Sequence, residues 1–145
     1  MRLGADVPFF LFGGNAFVEG IGERLAAIAL PAAYYVVLVP PVRVATAEIF
    51  ALPELRRDSP PIRPQDYRPG FGGNDLQVPV LARYPAVARH LAWLANFGDA
   101  RMTGSGACVF LETASAAEAQ RIFMQRPADM TGFVAPGLNN PPLLC

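Results

Sequence analysis

The chain has 145 residues, of which 52% are apolar, and its formal net charge at neutral pH is zero. This length and apolar content suffice for one domain, or for one domain with a strip of another. A chain without net charge has no long-range field to attract nucleic acid or anionic lipid, so neither is expected as a partner.

All 12 basic residues are arginines, and there is no lysine. A Schiff-base, P-loop or catalytic lysine therefore cannot come from this chain. Cys108 and Cys145 do not form the framework of a secreted disulfide-rich domain. The longest apolar stretch, residues 29–42, is interrupted by prolines and too short to span a membrane. No apolar run of the signal-peptide type precedes Asp6, and we expect a soluble cytoplasmic protein.

The first 30 residues hold short apolar segments separated by glycine turns. Residues 7–12 and 16–20 flank the Gly-Gly-Asn sequence at 13–15, which predicts a β-hairpin of these two strands. A second turn follows at 20–23. Because a lone strand pair is unstable in water, we expect this segment to be part of something larger.

A buried strand and a short helix are predicted next. Residues 34–39 are nearly all β-branched or aromatic, which is typical of a buried strand, and two prolines end it. Residues 46–52 predict a helix with Thr46 as its N-cap. The Pro-, Gly- and charge-rich stretch at 56–73 predicts a long, mobile surface loop.

Two further helices follow that loop. Asn74 and Asp75 are suited to cap a helix over 76–82. Residues 86–97 predict a clearer helix, because valine, leucine and alanine recur at helical spacing along one face. His90 lies at the edge of that face, so we expect a partly exposed residue that is not a metal ligand.

The remainder predicts two strands, a helix and a last strand. Residues 101–113 form strand, tight turn and strand; Ser115, with a glutamate three residues later, forms a capping box for a helix that ends at residue 125; and residues 131–135 form the last strand. From residue 34 the order is β, α, α, α, β, β, α, β. This order indicates an α+β class and resembles a ferredoxin-like sandwich with an extra helix.

Two segments carry residues suited to chemistry, and each also has an ordinary structural explanation. Asp6, in a Gly-Ala-Asp turn, is a candidate carboxylate base or merely an Asx-turn residue. Gly104, Ser105 and Gly106 can direct backbone N–H groups at an anion, or can simply form a tight hairpin bend. From the residues alone, both alternatives stay open.

A third candidate pair is Thr46 and Phe50, one helical turn apart. They can offer a hydroxyl and an aromatic plate on one helix face, or they can be ordinary packing residues. Cys108 is expected to be a buried strand cysteine without a catalytic role. No cluster of His, Cys, Asp and Glu has metal-binding spacing in the sequence.

Together and in this order, these segments resemble the C-terminal half of kinases of the GHMP superfamily. They are similar to the members that phosphorylate the 2-hydroxyl of a cytidine-diphosphate methylerythritol for isoprenoid synthesis, using ATP and Mg²⁺. The motifs that carry the resemblance are Leu-Gly-Ala-Asp-Val-Pro at 3–8, Ala-Phe-Val-Glu-Gly-Ile-Gly-Glu at 16–23, the Asn-Asp pair at 74–75, Thr-Gly-Ser-Gly-Ala-Cys within 101–110 and Gly-Phe-Val-Ala at 132–135.

The resemblance implies roles for the candidate residues. Asp6 matches the catalytic carboxylate that deprotonates or orients the substrate hydroxyl. Thr46 and Phe50 match substrate-binding positions near the cytidine, where an aromatic ring can stack on the base. The Gly104–Gly106 segment matches the loop beside the phosphates.

The resemblance also implies a division into residues 1–30, the tail end of the N-terminal domain with its hairpin, and 31–145, the C-terminal domain. The family's N-terminal half supplies a catalytic lysine and a Gly/Ser-rich ATP loop, and neither is in this sequence. We therefore expect the chain alone to be inactive and to hold no cofactor. Its expected partners are the substrate and either that missing half or a second copy bound through residues 1–30. The alternative is a non-catalytic ferredoxin-like module that binds a small molecule or a protein.

Overall fold

The computed structural model describes residues 7–66 and 72–139. Asp6, Cys145 and the 67–71 part of the predicted loop lie outside the described residues. The chain divides into two compact units. The smaller contains, among the described residues, 7–32, 62–66 and 138–139, and the larger contains 33–61 and 72–137.

The smaller unit begins with a helix and a hairpin: α1 (Val7–Phe12), β1 (Ala16–Glu19) and β2 (Arg24–Ala27). β1 pairs antiparallel with β2. The predicted hairpin between residues 7–12 and 16–20 is therefore wrong, because the first segment is helical. Pro8 is the second residue of α1, where its missing N–H costs no intrahelical bond.

The turn at 20–23 is the loop of the observed hairpin. There the carboxylate of Glu23 accepts a hydrogen bond from the backbone N–H of Ile21 at 2.6 Å. The N–H groups of Glu23 and Ile21 stabilise the ionised carboxylate and so lower the pKa of Glu23. The carboxylate thus satisfies turn donors that the short hairpin cannot pair with its own backbone.

The larger unit has a four-stranded antiparallel sheet with helices between its strands. The strands are β3 (Tyr34–Val39), β4 (Ala100–Met102), β5 (Val109–Thr113) and β6 (Thr131–Pro136), in the spatial order β4-β5-β3-β6. The helices are α2 (Thr46–Phe50), α3 (Gln77–Arg83), α4 (Pro85–Leu94) and α5 (Ala116–Met124). This arrangement confirms the predicted ferredoxin-like α+β fold.

Most predicted elements of the larger unit are observed within a few residues of their predicted bounds, but two caps differ. The N-cap of α2 is Ala45 and not Thr46, and it makes no side-chain capping bond. The N-cap of α3 is Leu76, whose N–H bonds to Asn74 Oδ1 at 3.0 Å in a turn ahead of the helix. The predicted Ser115 cap of α5 is confirmed, since its hydroxyl accepts from the Glu118 N–H at 3.2 Å.

The core of the larger unit lies between one face of the sheet and the helices. Alternate residues of β3 and β5 point into it, as expected for a sheet buried on one side. Its fully buried side chains include Val36, Leu38, Ile49, Val80, Val87, Leu94, Val109 and Ile122. None of the described helices has the length and apolar character needed to cross a membrane.

His90 belongs to the buried part of α4, since only 2% of it is exposed. The prediction of a partly exposed residue is therefore wrong. Its Nδ1 lies 2.7 Å from the carbonyl oxygen of Ala86, one turn earlier, which satisfies one ring nitrogen. In the described part of the chain, no group of three His, Cys, Asp or Glu residues is placed to hold a metal ion.

An ion pair joins α4 to the segment before β6. Arg89 Nη1 and Nη2 donate to the two carboxylate oxygens of Asp129 at 2.5 and 3.1 Å. The side-chain hydrogen bond from Arg89, followed by its charge, lowers the pKa of Asp129, and the same pairing raises the pKa of Arg89. Because the folded-state pKa of Asp129 lies below its unfolded value, its contribution to stability is present at neutral pH and lost as the pH falls through the folded pKa.

Replacing Arg89 with glutamine should raise the pKa of Asp129 toward the ordinary aspartate value of about 3.9. The carboxyl titration followed by NMR measures this directly. The stability difference between wild type and Arg89→Gln should also shrink as the pH is lowered below that value. Arg121→Gln is the matched control, because Arg121 is an exposed arginine of α5. Identical titration of Asp129 in the wild type and Arg89→Gln would contradict the prediction.

Candidate functional site

The loop at 103–108, which joins β4 to β5, contains the predicted glycine motif. It is closed by hydrogen bonds from Thr103 N to Cys108 O and from Gly106 N to Thr103 O, both at 3.0 Å. Gly104 and Gly106 have φ angles of 53° and 89°, in the left-handed region that glycine adopts without steric cost. The loop is therefore longer than the predicted tight turn and is bonded internally.

The two glycines are required for different reasons. A Cβ atom at Gly106 would lie 3.0 Å from Met102 Sδ and 3.3 Å from Val44 Cγ2. A Cβ atom at Gly104 would meet nothing within 4 Å. Gly104 thus serves the backbone conformation alone, whereas Gly106 also lets the loop pack closely on the core.

Three backbone N–H groups of this loop have no hydrogen-bond partner in the described part of the protein. Those of Gly104, Ser105 and Ala107 donate to no residue that the structure describes. Backbone donors in such a glycine turn are suited to bind an anion. A hairpin bend that only connects two strands also leaves such donors to water, so both alternatives for this loop stay open.

Thr46, the first residue of α2, contacts this loop. Its hydroxyl lies 2.8 Å from the hydroxyl of Ser105. Within the same short helix Ile49 is fully buried, whereas Phe50 is 52% exposed. Ile49 thus anchors α2, while Thr46 meets the glycine loop and the ring of Phe50 is accessible. Neither Thr46 nor Phe50 is a buried core residue.

Two side chains that were not predicted as site residues bind this loop or the last residue of β4 before it. Asn74 Nδ2 donates to the carbonyl oxygens of Gly104 at 2.7 Å and Met102 at 3.0 Å. Gln77 Oε1 accepts from the N–H of Met102 at 2.8 Å. The Asn-Asp pair of the sequence was a signal for Asn74, but helix capping was the role predicted for it. Nothing in the sequence distinguished Gln77.

Cys108 is a free, partly buried cysteine at the end of the loop. The prediction of a buried strand cysteine is wrong on both counts, since the residue precedes β5. Asp6, the predicted catalytic carboxylate, lies outside the described residues. The described site therefore consists of Thr46, Phe50 and the 103–108 loop.

Residues 54–128 match the family model for the C-terminal part of GHMP kinases, "GHMP kinases C terminal". This match spans more than half of the chain, and the chain belongs to that family. The chain is 54% identical over 143 residues to the 4-diphosphocytidyl-2-C-methyl-D-erythritol kinase of Thiobacillus denitrificans and 52% identical over 144 residues to that of Dechloromonas aromatica.

These alignments cover 99% of this chain but 51% and 53% of the two relatives. A crystal structure of 4-(cytidine 5'-diphospho)-2C-methyl-D-erythritol kinase matches with a TM-score of 0.71 and 28% identity, covering 94% of this chain and 53% of that one. The chain therefore spans about half the length of the relatives it matches. The predicted resemblance and fold class are both confirmed.

Proposed function

We propose that this chain is the C-terminal part of a cytoplasmic kinase that transfers a phosphoryl group from ATP to the 2-hydroxyl of 4-diphosphocytidyl-2-C-methyl-D-erythritol, a step of isoprenoid precursor synthesis. One observation carries the proposal. The glycine loop with free N–H groups touches the helix that exposes Phe50, in a chain 54% identical to a kinase of that name. In this proposal the phosphate subsite and the aromatic base subsite are adjacent.

Phosphoryl transfer requires positioning, charge neutralisation and one group that accepts the proton of the attacking hydroxyl. In this proposal Asp6 accepts that proton. The N–H groups of Gly104, Ser105 and Ala107 bind phosphate oxygens. ATP, when bound, would supply the transferred group, and Mg²⁺ would neutralise its charge.

The cytidine of the substrate is proposed to stack on Phe50. Base stacking on an aromatic side chain contributes about 1–3 kcal/mol and requires an exposed ring face. The hydroxyl of Thr46, already bonded to Ser105, can share a hydrogen bond with the same ligand. The base and phosphate subsites would then adjoin at these two hydroxyls.

We further propose the division into residues 1–30, belonging to an N-terminal kinase domain, and 31–145, the C-terminal domain. The larger compact unit begins at residue 33, close to this boundary, while residues 62–66 and 138–139 belong to the smaller unit. α1 also exposes Phe10 and Leu11 by 78% and 81%, which is typical of a surface that a partner covers. That partner is the N-terminal half of the kinase or a second copy of the chain. Since the chain has no lysine, we propose that alone it has negligible kinase activity.

The test is a hybrid kinase in which residues 1–145 replace the matching half of the Thiobacillus denitrificans protein. The hybrid should phosphorylate 4-diphosphocytidyl-2-C-methyl-D-erythritol, and the 145-residue chain alone should not. In the hybrid, Phe50→Ala should raise the KM for the cytidyl substrate about tenfold or more, as expected for a lost stacking contact. The KM for ATP should be unchanged.

Phe133→Ala is the matched control, because Phe133 on β6 is 51% exposed, almost the same fraction as Phe50. This variant should leave both KM values near those of the wild type. Equal effects of the two substitutions would contradict a base site at Phe50. Tight binding of cytidine nucleotides by the isolated chain, without turnover in the hybrid, would favour the non-catalytic binding module instead.

A further inference from the structure

The outer edge of β4 is bonded by side chains and not by another strand. β4 is the edge strand of the sheet and pairs only with β5. The outward N–H and C=O groups of such a strand are unpaired unless something covers them. At Met102, its last residue, both groups are bonded: the N–H donates to Gln77 Oε1 at 2.8 Å, and the C=O accepts from Asn74 Nδ2 at 3.0 Å.

Asn74 extends this edge contact into the glycine loop. Its Nδ2 also donates to the Gly104 carbonyl oxygen at 2.7 Å. Its Oδ1 accepts from the N–H of Leu76 at 3.0 Å, which fixes the orientation of the amide. The opposite orientation would place an oxygen against two carbonyl oxygens and an NH₂ against an N–H, so the bonding pattern assigns the two atoms.

We propose that Asn74 and Gln77 are positioning residues that hold the 103–108 loop in its phosphate-binding conformation. This inference rests on the proposed function for the role of the loop. Because the chain leaves β4 immediately after Met102, fixing the carbonyl groups of residues 102 and 104 sets the direction in which Ser105 and Gly106 continue. The start of α3 therefore determines where the free N–H groups lie.

Two isosteric substitutions separate this role from simple packing. Asn74→Asp keeps the shape of the side chain and the acceptor for Leu76. It replaces the Nδ2 amide group, which donates two hydrogen bonds, with an oxygen that faces two carbonyl groups. Gln77→Glu keeps the acceptor that Met102 requires. If the side chains served only to fill space, both variants would behave like wild type. If Asn74 and Gln77 are positioning residues, Asn74→Asp must disturb the loop and Gln77→Glu must be tolerated.

The first measurement is amide hydrogen exchange by NMR on the 145-residue chain. Asn74→Asp should accelerate exchange at Thr103 and Gly106 by about tenfold, the factor expected for a lost hydrogen bond of ordinary strength. Gln77→Glu should match the wild type, whereas Gln77→Ala should accelerate exchange at Met102. The control is Asp75→Asn, since Asp75 bonds to Ser59 and not to the loop.

Loop amides that exchange equally in Asn74→Asp and Asp75→Asn would overturn the proposal. Uniform acceleration that includes the β3 amides would also overturn it, because it would mean that Asn74 serves global stability alone. This measurement requires no catalysis, so it decides the positioning role even where the proposed function fails.

The second measurement uses the hybrid kinase. Asn74→Asp should raise the KM for ATP or lower kcat by about tenfold, the scale of a displaced phosphate contact. The KM for the cytidyl substrate should stay constant, and Gln77→Glu should keep kcat and both KM values near those of the wild type. An inactive wild-type hybrid contradicts the proposed function and leaves the exchange result intact. Unchanged kinetics in Asn74→Asp, with an active hybrid, would overturn the catalytic consequence of the proposal.

Discussion

Replacing Gly132 with alanine should cost the larger unit about 3 kcal/mol or more, the upper range for overpacking a filled interior. Gly132 lies in β6 opposite Leu38 of β3. A Cβ atom there would overlap the carbonyl oxygen of Val37 and lie 3.0 Å from the Cα of Leu38. Both obstacles are backbone atoms of the neighbouring strand, so no side chain can turn aside, and β6 would have to move away from β3.

Urea unfolding of the 145-residue chain, followed by circular dichroism and by the fluorescence of Trp93, measures this loss. Gly73→Ala is the matched control, because a Cβ atom at Gly73 meets nothing within 4 Å. That variant should change the free energy of unfolding by no more than about 0.5 kcal/mol. Similar midpoints for the two variants would show that β6 accommodates a methyl group and would contradict the argument.

Replacing Asp6 with asparagine should lower kcat of the hybrid kinase by about 10²- to 10⁴-fold, the usual contribution of a positioned general base. Asparagine has nearly the same shape but cannot accept the proton of the substrate hydroxyl. Because shape and polarity are conserved, the KM values for ATP and for the cytidyl substrate should change little. Steady-state kinetics at saturating concentrations of both substrates gives the comparison.

Asp58→Asn is the control for Asp6→Asn. Asp58 is an exposed aspartate whose side chain pairs with Arg56 at 3.4 Å, and its replacement should leave kcat unchanged. A hybrid that keeps more than a tenth of its kcat in Asp6→Asn would remove Asp6 from the mechanism. Loss of activity accompanied by a large rise in both KM values would instead assign Asp6 to binding.

The fold of the larger unit could be predicted because its elements have distinct hydrophobic periods. The segment at 34–39 is strand-like throughout, and the sequence of α4 repeats its apolar residues at helical spacing. The segment at 7–12 could not be assigned in this way. Six residues that are all apolar have no period, and Pro8 is compatible with the first turn of a helix or the edge of a strand.

The candidate site could be predicted only in part. The glycine motif was visible because its residues are consecutive in sequence. The partners of Thr46 and Asn74 were not, because Thr46 bonds to a residue 59 positions later and Asn74 to one 28 positions later. Local rules assign such polar residues to helix caps; here Thr46 bonds to the glycine loop, and Asn74 adds two long-range bonds to its local one with Leu76. His90 was misplaced for a different reason, since the apolar spacing put it at the edge of the buried face, whereas tertiary packing buries it.

The hydrogen bond between the hydroxyls of Thr46 and Ser105 links two positions that a redesign of this protein would otherwise treat separately. Position 46 belongs to the proposed base subsite and position 105 to the proposed phosphate loop, yet the two side chains share one hydrogen bond. A substitution at position 46 that removes the hydroxyl therefore also removes a hydrogen bond to the glycine loop. Productive changes should arise as matched pairs at 46 and 105, and the two positions are best randomised together.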